Sequence, residues 1–213
     1  WKNQCLLPES VVGLAQSPQE ARIVKLYKSY EQALTSYNAV DFDDLIALPV
    51  RLLEQHQEVR DRWQNKIRYL LVDEYQDTNT SQYRLVQLLV GGRNGLVVVG
   101  DDDQSIYAWR GANPENLVQL EQDYPTLKVI KLEQNYRSTN RILRAANQLI
   151  DNNPHIYAKK LWSEKGLGEW IEVIQVPDED AETERIANEI IEQKLRRGMR
   201  FKDFAVLMRG NHQ

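Results

Sequence analysis

Leu70-Leu71-Val72-Asp73-Glu74 is an apolar strand pattern that stops at two adjacent carboxylates. Leu96-Val97-Val98-Val99-Gly100-Asp101-Asp102-Asp103-Gln104 repeats the arrangement further along the chain. Between them, a helical pattern at residues 81–89 supplies the connection that a parallel pair of strands needs. Further apolar runs at residues 67–72, 96–99, 127–132, 170–176 and 204–207 read as strands, with helices expected at 81–89, 114–124, 138–150 and 179–197. Strands alternating with helices predict an α/β fold with a mainly parallel sheet, in which ligands collect at the carboxyl ends of the strands.

The residues at those ends have specific chemistry. Asp73 can hold a magnesium ion, directly or through water, and Glu74 can polarise an attacking water. The plainer alternative is a strand that ends at the surface in solvated acids. Gln104 is neutral and bidentate, which suits a hydrogen bond to a phosphate oxygen. Beyond it, Tyr107, Trp109 and Arg110 lie in a loop ending at Gly111, where the rings either offer faces to bases or pack into a core. A third cluster, Leu132-Glu133-Gln134-Asn135-Tyr136-Arg137-Ser138-Thr139, follows a strand pattern and leads into a helix that Ser138 is placed to cap. Arg137 can neutralise charge in a phosphoryl-transfer transition state or lie at the surface; Tyr136 can stack on a purine or pack.

Upstream the chain is helical. Ser17-Pro18-Gln19-Glu20 has the order of a capping box with proline at the first helical position. Behind it, Ile23, Leu26, Tyr27, Tyr30, Leu34 and Tyr37 form one apolar stripe on a helix running to about Asn38. A second helix is expected near Asp41, carrying Phe42, Leu45, Ile46 and Leu48, with Pro49 kinking or ending it.

The 213 residues, 42% hydrophobic and 27% charged, exclude disorder and allow one large domain or two smaller pieces. The single Cys5 forms no internal disulfide, so a reducing, cytoplasmic setting is expected. No apolar run approaches the ~18 residues of a membrane span, so no membrane partner is expected. A net charge of −4 argues against a surface that grips nucleic acid over its whole extent, but not against a local basic groove.

Asp73-Glu74-Tyr75-Gln76-Asp77-Thr78-Asn79, then residues 100–112 and 132–139, resemble in order and spacing motifs II, III and IV of the UvrD/Rep/PcrA family of superfamily 1A DNA helicases. Trp1-Lys2-Asn3, Asp41-Phe42-Asp43-Asp44-Leu45, residues 62–69 and the closing Arg209-Gly210-Asn211-His212-Gln213 are also similar to that family. The resemblance implies two RecA-like P-loop NTPase motor domains, with ATP in the cleft between them and single-stranded DNA across their top. It makes Asp73 the Mg2+ ligand, Glu74 the catalytic base, Gln104 the γ-phosphate sensor, Tyr136 the adenine-stacking ring and Arg137 the arginine finger. Tyr107, Trp109 and Arg110 then join the cleft to DNA, with Trp109 as base-stacking platform, while Arg209 and Asn211 touch the strand. ATP and Mg2+ are the implied cofactors, and single-stranded DNA and junctions with duplex, met in replication or repair, the implied partners.

No Gly-Lys pair occurs anywhere, so the lysine-bearing phosphate loop is absent from these residues. The resemblance therefore implies an internal fragment. Residues 1–40 would be the end of a helical subdomain 1B, 41–127 the second half of motor domain 1A, and 128–213 the first part of 2A. Such a piece is expected to be inactive alone and to self-associate through exposed sheet edges. Two other readings compete. One is a non-catalytic binding module with a helicase-like surface. The other is a nuclease using Asp101, Asp102 and Asp103, disfavoured because consecutive residues on an extended segment point opposite ways and no histidine lies nearby in sequence.

Overall fold

A computed structural model describes residues 1–208 and 210. In chain order it contains α1 (Pro8–Val11), α2 (Pro18–Ser36), α3 (Asp44–Gln55), α4 (Gln57–Lys66), β1 (Leu70–Val72), α5 (Thr80–Val90), β2 (Leu96–Val98), α6 (Glu115–Asp123), α7 (Asn140–Ile150) and α8 (Glu179–Arg197). Single 3-10 turns at Tyr75–Asp77, Asp102–Gln104 and Ala108–Arg110 follow the two strands. No helix among the described residues is long and apolar enough to cross a membrane.

The expected capping box opens α2: Ser17 Oγ accepts the Glu20 N–H at 3.2 Å, and Glu20 Oε2 accepts the Ser17 N–H at 3.2 Å. The stripe behind it does not enter a core. Val24 is the buried residue of α2, while Ile23, Leu26, Tyr30 and Tyr37 are exposed, because α1 is the main element packed on this helix. In α3 the helix runs on through Pro49, and Ala47, Val50 and Leu53 turn inward rather than Phe42, Leu45 and Leu48. Val50 and Leu53 meet Leu88 of α5, with Val59 of α4 and Cys5 at the edge of the cluster.

β1 and β2 pair in parallel, Leu70 opposite Leu96, Leu71 opposite Val97 and Val72 opposite Val98. The connecting α5 starts at a second capping box, in which Asn79 Oδ1 accepts the Gln82 N–H and Gln82 Oε1 accepts the Asn79 N–H, both at 2.9 Å. Val72, Leu96 and Val98 pack on a core of Tyr75, Tyr83, Leu117 and Leu120. Burial of the Leu120 side chain in that core contributes roughly 1.5–3 kcal/mol. The other face of the pair carries Leu71 and Val97, both open to solvent.

The sheet is smaller than the sequence pattern predicts. Residues 127–132, 170–176 and 204–207 form no strand, and Leu132, Val173 and Leu207 are exposed. Strand propensity expresses itself only against a ladder partner, and among the described residues these runs find none. One parallel bridge, Gln134 to Trp162, is the only pairing outside β1 and β2 among the described residues. The fold class is thus mixed helix and strand with a small parallel sheet.

The later helices follow expectation more closely. Asn113 Oδ1 accepts the Glu115 N–H at 3.1 Å ahead of α6. Asp178 Oδ1 accepts the Ala181 N–H at 2.8 Å at the start of α8, which ends at Gly198 with φ 66°. Ser138 does not cap α7. The helix begins after Thr139, and the N–H groups of Arg137 and Ser138 are taken by Asn135 Oδ1 at 2.9 and 2.7 Å.

Candidate functional site

The parallel register brings the ends of β1 and β2 to one edge. Two further bonds extend the pairing: Val99 N–H to the Val72 carbonyl at 2.8 Å, and Tyr75 N–H to the Val99 carbonyl at 3.0 Å. Just past β1, Asp73 and Glu74 face solvent. Asp73 Oδ1 accepts the Glu74 N–H at 2.9 Å. Glu74 has left-handed backbone, φ 49° and ψ 44°, a conformation that costs a non-glycine residue about 1 to 3 kcal/mol and concentrates at functional sites. With this turn the chain leaves Glu74 outside while Tyr75 enters the core.

Gln76 connects the two strand ends. Its side chain, 1% exposed, donates from Nε2 to Glu74 Oε2 at 2.8 Å and accepts the Asp101 N–H on Oε1 at 2.9 Å. A buried amide is stable only with such partners. The loop from β2 passes so close that a Cβ on Gly100 would lie 2.9 Å from Gln76 Oε1 and would push that amide from its partners. Asp101 Oδ2 then accepts from Gln104 Nε2 at 2.7 Å. A continuous hydrogen-bonded path therefore runs Glu74, Gln76, Asp101, Gln104. Burial works to raise the Asp101 carboxyl, but its hydrogen bonds with Lys159 and Gln104 outweigh this and hold it below the ordinary carboxylate value.

Asp73, Glu74 and Gln104 are thus brought together. Tyr136 and Arg137 lie elsewhere, exposed on the segment leading into α7. Tyr136 donates to Gln134 Oε1 at 2.9 Å, and the Arg137 carbonyl accepts from Lys165 Nζ at 3.1 Å. Among the described residues no hydrogen bond or ion pair joins either side chain to Asp73, Glu74 or Gln104. Arg209 and Asn211 lie outside the described residues.

Past Gln104 the aromatic loop stands in solvent. Tyr107 and Trp109 have ring centroids 6.4 Å apart, and the Arg110 guanidinium lies 5.0 Å from the first ring and 4.5 Å from the second. Trp109 is 74% exposed, which removes the core-packing alternative for it. Gly111 closes the loop with φ 89° and no room for a Cβ beside Asn3.

The donor set suits the hydrolytic end of a nucleotide site. Asp73 offers hard carboxylate oxygen of the kind Mg2+ takes, often through water, and its neighbour is a solvent-facing glutamate in a strained turn. The sequence holds no Gly-Lys loop for the phosphates. A groove of about 520 Å³ between the N-terminal turn and α2 is no substitute, since its Lys2 is already engaged by Asp41, Asp44 and Glu31 and it has carboxylates at its rim.

Sequence reasoning assigned no role to Gln76, although an amide two positions after the glutamate was visible. It also missed the approach of His155 and Lys159 to Asp101, Asp102 and Asp103. The 3-10 turn there gathers the three carboxylates instead of alternating them, and His155 Nδ1 comes within 3.1 Å of Asp103. Lys159 ion-pairs with all three acids, so the cationic place is filled by an ammonium group.

Comparison with known proteins gives the family. Residues 1–125 match the model of the UvrD/REP helicase N-terminal domain, and residues 130–213 that of the UvrD-like helicase C-terminal domain. The whole chain is 56% identical to the ATP-dependent DNA helicase Rep of Escherichia coli strain K12, covering 32% of that protein. It is 49% identical over its whole length to Rep of Buchnera aphidicola subsp. Acyrthosiphon pisum, again 32% of the relative. Against the ATP-dependent DNA helicase PcrA of Leuconostoc citreum it is 43% identical over 212 residues, 28% of that protein. The chain spans about a third of the length of these relatives, and two family models between them account for nearly all of it. This chain belongs to the UvrD/Rep helicase family.

Proposed function

We propose that the chain is the central part of an ATP-driven translocase that moves on single-stranded DNA and unwinds duplex at junctions, in the cytoplasm, during replication or repair. The observation that carries this reading is the set of bonds from Glu74 through Gln76 and Asp101 to Gln104, which, with Asp73 accepting the Glu74 N–H, links the acids after one strand to the amide after its neighbour. Its relatives are named as ATP-dependent DNA helicases. The β1-α5-β2 unit is the repeat from which a RecA-like parallel sheet is built, and that larger sheet is part of the proposal.

In this reading Asp73 holds Mg2+, which when bound neutralises phosphate charge. Glu74 takes the proton of the attacking water, and Gln76 fixes its carboxylate. Gln104 hydrogen-bonds the terminal phosphate, while Tyr136 and Arg137 serve adenine and the developing charge from the second motor domain. Because Gln104 and Trp109 belong to one segment, a change at the phosphate is felt at the aromatic loop. Tyr107, Trp109 and Arg110, with Arg209 and Asn211, grip the strand. The partition into residues 1–40, 41–127 and 128–213 is part of this reading; its second boundary falls in the gap between the two family models, one ending at 125 and the other beginning at 130.

Full-length protein should hydrolyse ATP, and single-stranded DNA should raise the rate. Steady-state phosphate release with and without an oligonucleotide tests this; a rate indifferent to DNA would contradict a translocase.

A further inference from the structure

Beyond the residues assigned above, one buried-edge charge group joins the two halves of the chain. Lys159 Nζ lies 2.5 Å from Asp101 Oδ1 and 2.9 Å from Asp103 Oδ2, and also pairs with Asp102. The surrounding backbone fixes it there. Within α7, Asn147 brackets Leu161 with bonds of 2.9 and 3.2 Å, and Asn140 brackets Ser163 with 2.8 and 3.2 Å. The Ile156 N–H donates to Asp102 Oδ2 at 2.9 Å, and the Tyr157 hydroxyl to Glu121 Oε1 at 2.7 Å. Lys159 therefore sits on a segment tied by hydrogen bonds on both sides of it.

We propose that Lys159 is a positioning residue for the nucleotide-facing loop: by gathering Asp101, Asp102 and Asp103 it ties the segment after α7 to the end of β2 and holds the Gln104 amide in place through Asp101. Three consecutive, half-buried carboxylates repel one another, and an ammonium at their centre is what allows the tight turn. Asp101 is a shared acceptor, with Lys159 on Oδ1 and Gln104 on Oδ2. Removing the ammonium leaves Asp101 Oδ1 with only the longer bond from the Asp103 N–H at 3.2 Å, which loosens the carboxylate that orients Gln104. The inference rests on the ATPase reading above.

The test is steady-state ATP hydrolysis by full-length protein with Lys159→Met, Lys159→Arg and Asp102→Asn, and with Glu74→Gln as control. Lys159→Met should lower kcat about tenfold while KM for ATP stays within about twofold, and Lys159→Arg should recover most of the rate, the split expected of an interaction that acts on the chemical step. Wild-type kcat in a folded Lys159→Met protein, or an arginine variant as slow as the methionine one, would overturn the proposal. If Lys159→Met fails to fold, Asp102→Asn decides: a lower kcat at unchanged KM supports it, and wild-type kcat overturns it. Loss of activity in Glu74→Gln alone, with the lysine variants unaffected, leaves the ATPase reading standing and removes this one. A wild-type protein without hydrolysis removes both.

Discussion

Trp109 exposes an almost bare ring, and Arg110 lies over it where a base would otherwise stack. Base stacking on such a ring is worth roughly 1 to 3 kcal/mol, so Trp109→Ala should weaken single-strand binding by about tenfold or more and cost most of the DNA-stimulated hydrolysis, with ATP affinity retained. Arg137→Ala should instead lose hydrolysis with and without DNA, on the order of 10³-fold if the guanidinium serves the transition state. Fluorescence anisotropy with a labelled oligonucleotide, paired with ATPase assays, separates the two. Wild-type DNA affinity in Trp109→Ala would contradict the platform. Asp73, Glu74 and Gln104 were legible because each follows an apolar run whose end must reach the sheet edge. Gln76 was not, because its burial depends on how closely the Gly100 backbone approaches from the other strand.

Among the elements, a cap is local and so can be read from a few consecutive residues, as the Ser17 box was; the Asn79 box and the Asp178 cap were not read, and the Ser138 cap failed because Asn135 Oδ1 takes the local N–H groups and the helix starts later. Which face of a helix is buried is not local. In α3 two apolar stripes coexist, and the inward one, Ala47-Val50-Leu53, is chosen by the approach of α5 and α4. The strand patterns in the second half failed for the same reason, as nothing in residues 170–176 says whether a partner strand is at hand. Lys2, 9% exposed, shows how a short N-terminal turn is held: its ammonium lies 2.6 Å from Glu31 and 2.9 Å from both Asp41 and Asp44. Lys2→Ala leaves three acids around an empty centre and should destabilise the fold by about 3 kcal/mol. Urea unfolding checks this, and an unchanged midpoint would show that the acids simply turn to water.

At the scale of the whole molecule, the two-stranded sheet covers only one of its faces. Leu71 is 72% exposed beside Val97, and among the described residues each strand has one unpaired edge. Exposed edges and apolar patches are templates for association, so the 213-residue chain by itself should form dimers or larger species. Light scattering that shows a monomer across a wide concentration range would contradict this. The chain by itself should also hydrolyse no ATP, as it has the acids without the lysine loop. The central claim is that the strand-end acids perform nucleotide chemistry, and the most direct measurement is ATP turnover by full-length protein carrying Glu74→Gln, with ATP affinity determined on the same sample. Binding should persist and turnover should fall by at least about 10², the scale of a lost general base. Turnover at the wild-type rate would contradict the claim.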